Sequence, residues 1–210
     1  GEYGQSKLIA EQKCRKYKDD LFISILRPTT IIGPKRLGIM GIIFDWIQRE
    51  KNLYIPGDGT NKYQLLDVND FCRALWLAST HPEARGVFNV GANNPENINR
   101  NLRSLSKKKN LNFKVKHLPA NTVKFILKIL NKINLSPITP WQYNTVDKEL
   151  TVSTRHINQR LGWESSFSES DALLRNYDWY IQNNMSPVGE RKTNRDRWPR
   201  KFLEIIKYIL

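Results

Sequence analysis

Leu8, Ile9 and Ala10 sit among Lys7, Glu11, Gln12 and Lys13, a pattern that predicts a helix over residues 3–18 with a polar, basic outer face. The Lys18–Asp19–Asp20 turn follows, and then LFISILRPTTIIGP, a β-branched run closed by Gly33–Pro34. Its apolar character from Phe22 to Ile32, broken mainly by Arg27 and Pro28, predicts a strand covered on both faces, with Pro28 marking a bulge or a strand end. A helix around Ile42–Arg49, a short strand at Leu53–Ile55 and the tight Gly57–Asp58–Gly59 turn come next. Another helix is expected from about Asn69 to Ser79, with Asn69 or Asp70 near its cap. GVFNVG (Gly86–Gly91) reads as a second buried strand. Beyond it lies a mostly helical region containing Asn121–Ile133, a loop with Pro137 and Pro140, and a helix over Glu169–Gln182. The polar stretch Ser186–Pro199 leads to an amphipathic helix at Arg200–Leu210, and no internal repeat is present.

With 210 residues, 40% of them hydrophobic and 26% charged, the chain can bury the core of one domain, or of a domain with a lobe. No apolar run approaches the roughly 20 residues of a membrane-spanning helix. Cys14 and Cys72 lack CxxC spacing and are expected to be buried, inert thiols. His81, His117 and His156 are scattered, so no metal site is expected.

The net charge of +14 raises nucleic acid or an anionic surface as a partner, and its distribution decides between them. From Asn97 to Val146 there is no Asp or Glu, while Lys and Arg contribute ten positive charges. Within that stretch NTVKFILKILNKI sets Lys124, Lys128 and Lys132 four apart against Val123, Ile126, Leu127, Leu130 and Ile133. The expectation is a helix that packs its apolar face internally and solvates its lysines, with peripheral contact to an anionic membrane as the alternative. Nucleic acid is not expected, because only Phe113 and Phe125 accompany the basic run and form no stacking platform.

Residues four apart share a helix face, so Tyr3 and Lys7 can set a phenol beside an ammonium. A tyrosine titrating near about 10 is a poor base at neutral pH, and a cation within about 4–6 Å lowers that value. Such a tyrosine can take a proton from an alcohol.

The order YGQSK, LRPTTIIGP, IPGDGTNKYQLLDVNDFCRA, FNVG and LGWESSFSESDALLRNYDWY is more specific than any one of these motifs. It resembles, over residues 1–182, the C-terminal part of the extended short-chain dehydrogenase/reductases, the NAD-dependent epimerase/dehydratase family. The resemblance implies an α/β fold: the C-terminal half of a Rossmann-like parallel sheet interleaved with a small, mainly helical substrate-binding lobe. Residues 1–34 would end the Rossmann-like domain, residues 35–182 would form the lobe with 65–91 returning to the sheet, and 183–210 would be a basic C-terminal extension. The chain contains no GxxGxxG, so the resemblance also implies that the nucleotide-binding half is missing and that this fragment alone is inactive.

By the same resemblance Tyr3 would be the catalytic acid/base. Lys7 would hold the nicotinamide ribose and lower the Tyr3 pKa, so both contact the cofactor, NAD or NADP. Pro28 and Thr29 would lie on the cofactor side, Thr30 would face substrate, and Lys62, Tyr63 and Gln64 would form part of the substrate wall. The family's upstream Ser/Thr would precede Gly1. This sequence departs from the pattern in three places: Tyr63, with Lys62 before it, stands where relatives acting on nucleotide-diphosphate sugars carry an arginine, Thr30 stands for the usual Asn, and Ile32 for the usual Tyr. The implied activity is NAD(P)-dependent epimerase/dehydratase chemistry on a nucleotide sugar, in a cytoplasmic homodimer. The alternatives are a reductase or dehydrogenase of a non-nucleotide alcohol or ketone, and a catalytically silent basic binding module of the same fold.

Overall fold

The structure is a computed structural model and describes residues 2–35, 39–49, 52–136 and 138–183. Helix α1 (Glu2–Lys16) has Glu2 in its first turn and Lys13, Arg15 and Lys16 in its last, which complements the helix dipole at both ends. None of its residues is buried.

The run Phe22–Ile32 forms two short strands instead of one. β1 (Ser24–Pro28) and β2 (Thr30–Ile32) flank Thr29. After α2 (Met40–Gln48) and β3 (Leu53–Pro56) the chain enters β4 (Leu65–Asp67), α3 (Val68–Thr80) and β5 (Gly86–Val90). β1 runs parallel to β5, with Ser24 opposite Gly86 and Pro28 opposite Val90, and β2 runs parallel to β4, with Thr30 opposite Leu65. Pro28 explains the division, because it offers no N–H to the ladder and pairing with one neighbour ends there. The Thr29 N–H still donates to the Val90 carbonyl at 2.9 Å, and the chain then changes partner. Arg27 and Pro28 are exposed, so this strand is not covered on both faces.

α4 (Ile98–Lys109), β6 (Val115–Leu118), α5 (Ala120–Lys132), α6 (Pro140–Thr145), α7 (Arg155–Leu161) and α8 (Glu169–Gln182) complete the described chain. β6 lies inside the segment expected to be mostly helical and pairs in parallel with β3. Pro140 belongs to a helix, not a loop: Thr139 and Gln142 close a capping box around it, and a proline costs nothing in the first turn. The cap of α3 is Asp67, whose carboxylate accepts from the Asn69 N–H at 2.8 Å, and not Asn69 or Asp70.

Asp70 is engaged elsewhere. Fully buried, it accepts from the Ser166 and Phe167 N–H groups and from Arg73, fastening α3 to the segment before α8. Glu169, also buried, accepts from the Leu65 N–H, the Glu96 N–H and the Asn101 amide, so one carboxylate ties α8 to β4 and α4. Two main apolar clusters flank these links. One gathers Phe44 and Ile47 of α2, Leu53 and Ile55 of β3, Leu102 and Leu105 of α4, and Tyr177 and Tyr180 of α8. The other joins Leu66, Phe88 and Val90 to Ala74, Ile157, Leu161 and Trp163.

Three expectations need correction. Cys14 and Cys72 are exposed, because α1 has no buried face and the side of α3 that carries Cys72 also exposes Leu75 and Trp76. Lys124 is not part of a solvated stripe: its ammonium donates to Asp147 at 2.7 Å and holds that carboxyl below its usual range. The apolar side of α5 is only partly internal, since Ile133 is exposed while Leu130 is buried. The amphipathic helix expected at Arg200–Leu210, and the extension beyond Asn183, lie outside the described residues.

Candidate active site

α1 brings Tyr3 and Lys7 together as their spacing predicts: the Lys7 ammonium lies over the Tyr3 ring, 5.5 Å from its centroid. Tyr3 is 76% exposed, so the pair faces outward rather than into the core. What fixes this helix is Glu11, about two turns further on. Its carboxylate accepts from Arg15 at 2.7 Å on the same helix and from both Arg27 Nε at 3.0 Å and Arg27 Nη2 at 2.5 Å. The Arg27 guanidinium, and after it Arg15, holds the Glu11 carboxyl below the usual glutamate range. Arg27 immediately precedes Pro28, so α1 is tethered at the carboxyl end of β1.

Pro28 and Thr29 stand at the carboxyl ends of parallel strands β1 and β5, the edge where open α/β sheets bind ligands. The Thr29 hydroxyl is buried and has no partner among the described residues. Thr30 and Tyr63 meet: the Thr30 hydroxyl donates to the Tyr63 phenol oxygen at 3.2 Å.

Gln64 and Lys62 do not converge on that contact. Gln64 is 2% exposed, and its carboxamide donates to the Ala92 carbonyl at 2.6 Å and accepts from the Val152 N–H at 2.8 Å. Gly91 packs so closely that a Cβ there would lie 2.6 Å from the Gln64 amide. Lys62 is exposed and pairs through its backbone with Asn97 and Leu150. The turn before it is stiff: Gly57 and Gly59 both take positive φ, and the Asp58 carboxylate accepts from the N–H and hydroxyl of Thr60. At Gly59 a Cβ would lie 2.5 Å from the Asn99 amide, which would have to shift to admit it.

Sequence reasoning missed the Glu11–Arg27 clamp. Arg27 was visible as a charge within an apolar run, a signal that a specific partner is needed. Nothing local pointed to Glu11 as that partner.

Parallel strands flanked by helices define a Rossmann-like α/β protein. Residues 1–91 match the model of the NAD dependent epimerase/dehydratase family. Protein y4nG of Sinorhizobium fredii is 26% identical over 213 residues, covering all of this chain and 53% of that protein. UDP-glucuronate 4-epimerase of Thermodesulfobacterium geofontis is 28% identical over 166 residues, covering 78% of this chain and 44% of that enzyme. The chain spans about half the length of these curated relatives. Among solved structures, UDP-glucuronic acid 4-epimerase of Bacillus cereus in complex with UDP-glucuronic acid and NAD superposes with a TM-score of 0.64. That superposition covers 86% of this chain and 52% of that one at 22% identity.

Proposed function

We propose that this chain provides the proton-transferring and substrate-facing part of a cytoplasmic NAD(P)-dependent epimerase/dehydratase that acts on a nucleotide sugar. The observation that carries the reading is the Lys7 ammonium lying over the Tyr3 ring on the exposed side of a helix tethered to the sheet's carboxyl edge. The Bacillus cereus epimerase of the same fold holds NAD. When bound, the nicotinamide dinucleotide supplies an acceptor and donor of hydride.

In this reading Tyr3 takes the proton of a sugar hydroxyl at its phenolic oxygen and later returns it. Lys7 holds its ammonium against the same ring and reaches the cofactor ribose. Pro28 and Thr29 border the cofactor, and the Thr30–Tyr63 pair forms a polar wall for the substrate. Gln64 is buried next to Tyr63 in sequence, and the exposed Lys62 ammonium is available to an anionic substrate. Leu8 and Ile9, both exposed on α1, suit a homodimer contact along that helix. A nucleotide-binding half that carries the glycine-rich turn completes the enzyme, and the chain alone is inactive.

Tyr63 favours a second reading, reduction or oxidation of a non-nucleotide alcohol or ketone, since a phenol there gives a diphosphate no guanidinium. Incubation of the complete enzyme with NAD or NADP and panels of UDP-, dTDP- and ADP-sugars and simple alcohols, with products resolved by NMR, separates the two. An epimerised or dehydrated sugar is expected. Turnover of simple alcohols alone would replace the first reading by the second, and no conversion of any of them would refute both.

A further inference from the structure

α5 carries apolar side chains on two sides. Inward, Leu130 is buried and Leu127 packs against Ile42, Ile138 and Tyr143. Outward, Phe125, Ile129 and Ile133 are 64%, 47% and 55% exposed. Their four-residue spacing lines them along one side of the helix for two turns. Trp141, on the neighbouring α6, adds a ring that is 55% exposed. A row of aromatic and branched side chains facing water is a surface that some partner covers.

The lysines of α5 share one side of the helix but differ in their surroundings. Lys124 is paired with Asp147 and largely withdrawn from solvent. Lys128 and Lys132 are exposed, make no ion pair among the described residues, and flank the apolar row one turn apart. No acidic residue occurs from Asn97 to Val146 to offset them. Apolar and aromatic side chains on one face with lysines beside them are the makeup of a helix that lies in a lipid–water interface. A second copy docked by the same face about a two-fold axis would bring these lysines towards their own counterparts, which disfavours self-association there.

We propose that the outer face of α5, Phe125, Ile129 and Ile133 together with Trp141, docks the protein on an anionic bilayer surface, with Lys128 and Lys132 meeting the headgroups. The apolar row enters the headgroup–acyl boundary, and the lysines stay at the level of the phosphates.

Flotation of the full 210-residue chain with vesicles of phosphatidylcholine alone, or of phosphatidylcholine with about a third phosphatidylglycerol, tests this. The chain is expected to float with the anionic vesicles only, and binding is expected to fade between about 0.05 and 0.5 M salt. Lys128→Gln with Lys132→Gln is expected to weaken binding about thirtyfold, and Phe125→Ser with Ile129→Ser at least as much. Lys124→Gln is expected to leave vesicle affinity unchanged, and circular dichroism checks that each variant is folded. No flotation, equal flotation with both lipids, or binding indifferent to both double variants would overturn the proposal. So would a lipid-free dimer in sedimentation that Phe125→Ser splits, which would make a second copy the occupant.

Discussion

Arg27 grips Glu11 with one edge of its guanidinium, Nε to one carboxylate oxygen at 3.0 Å and Nη2 to the other at 2.5 Å, across sixteen residues of sequence. A two-point contact fixes orientation as well as distance. It joins the helix that carries Tyr3 and Lys7 to the strand end that carries Pro28. Arg27 is half exposed, so the global effect is modest: Arg27→Ala is expected to cost about 0.5–1 kcal/mol. Its local effect is larger, since α1 buries nothing else, and amide hydrogen exchange along residues 2–16 is expected to accelerate several-fold. Unchanged exchange in α1 would show that the clamp does not hold the helix.

The clamp is also pH-dependent. Because Arg27 and Arg15 lower the Glu11 pKa in the folded chain, its contribution is complete above the ordinary glutamate range and is lost as the pH falls through the lowered value. Protection of the α1 amides is therefore expected to persist at about pH 5 and to disappear under more acidic conditions. Glu11→Gln is expected to remove that dependence, and an identical acid profile in the variant would refute the assignment.

Gln64 and Gly91 interlock through the buried Gln64 carboxamide. Gly91→Ala would force a methyl group to within 2.6 Å of the Gln64 amide, and Gln64→Leu would strand the Ala92 carbonyl and the Val152 N–H. Each change is expected to destabilise the chain by about 1–3 kcal/mol in urea unfolding. Wild-type midpoints in both would mean that this packing is loose.

Glu169 offers a sharper case, with three donors on one buried carboxylate. Burial raises its pKa, so its ionised form costs stability, and that cost is relieved as the pH falls from the raised value to the ordinary one. Glu169→Ala leaves all three donors unpaired and is expected to cost about 3 kcal/mol or more. A loss below about 1 kcal/mol would show that water replaces the carboxylate.

Elements whose signals are local were readable from the sequence. α8 runs over Glu169–Gln182 as its pattern predicts, and the Gly57–Asp58–Gly59 turn needs the positive φ its glycines allow. The proximity of Tyr3 and Lys7 followed from helical spacing alone. β6 was hidden because Val115–Lys116–His117–Leu118 is short and half polar, and a strand of that kind exists only through β3 beside it. The start of α3 was misplaced because Asp67, Asn69 and Asp70 are all good caps and only tertiary bonds assign Asp70 elsewhere. The Glu11–Arg27 clamp, the burial of Gln64 and the outward row on α5 each depend on which surfaces meet, and no residue spacing carries that information.

The 210-residue chain contains no glycine-rich phosphate turn, and the helix N-terminus that cradles a pyrophosphate belongs with such a turn. Calorimetric titration with NAD and with NADP is expected to show no binding by this chain alone. Micromolar affinity for either would contradict the proposal that a separate nucleotide-binding half completes the site.

The central claim is that Tyr3 transfers the proton, and single-turnover kinetics of Tyr3→Phe in the complete enzyme test it most directly. The phenylalanine keeps the ring beneath Lys7 and removes only the hydroxyl, so the rate of conversion is expected to fall by roughly 10² or more, while the affinity for the dinucleotide changes little. A Tyr3→Phe enzyme that converts its substrate at the wild-type rate would contradict the account.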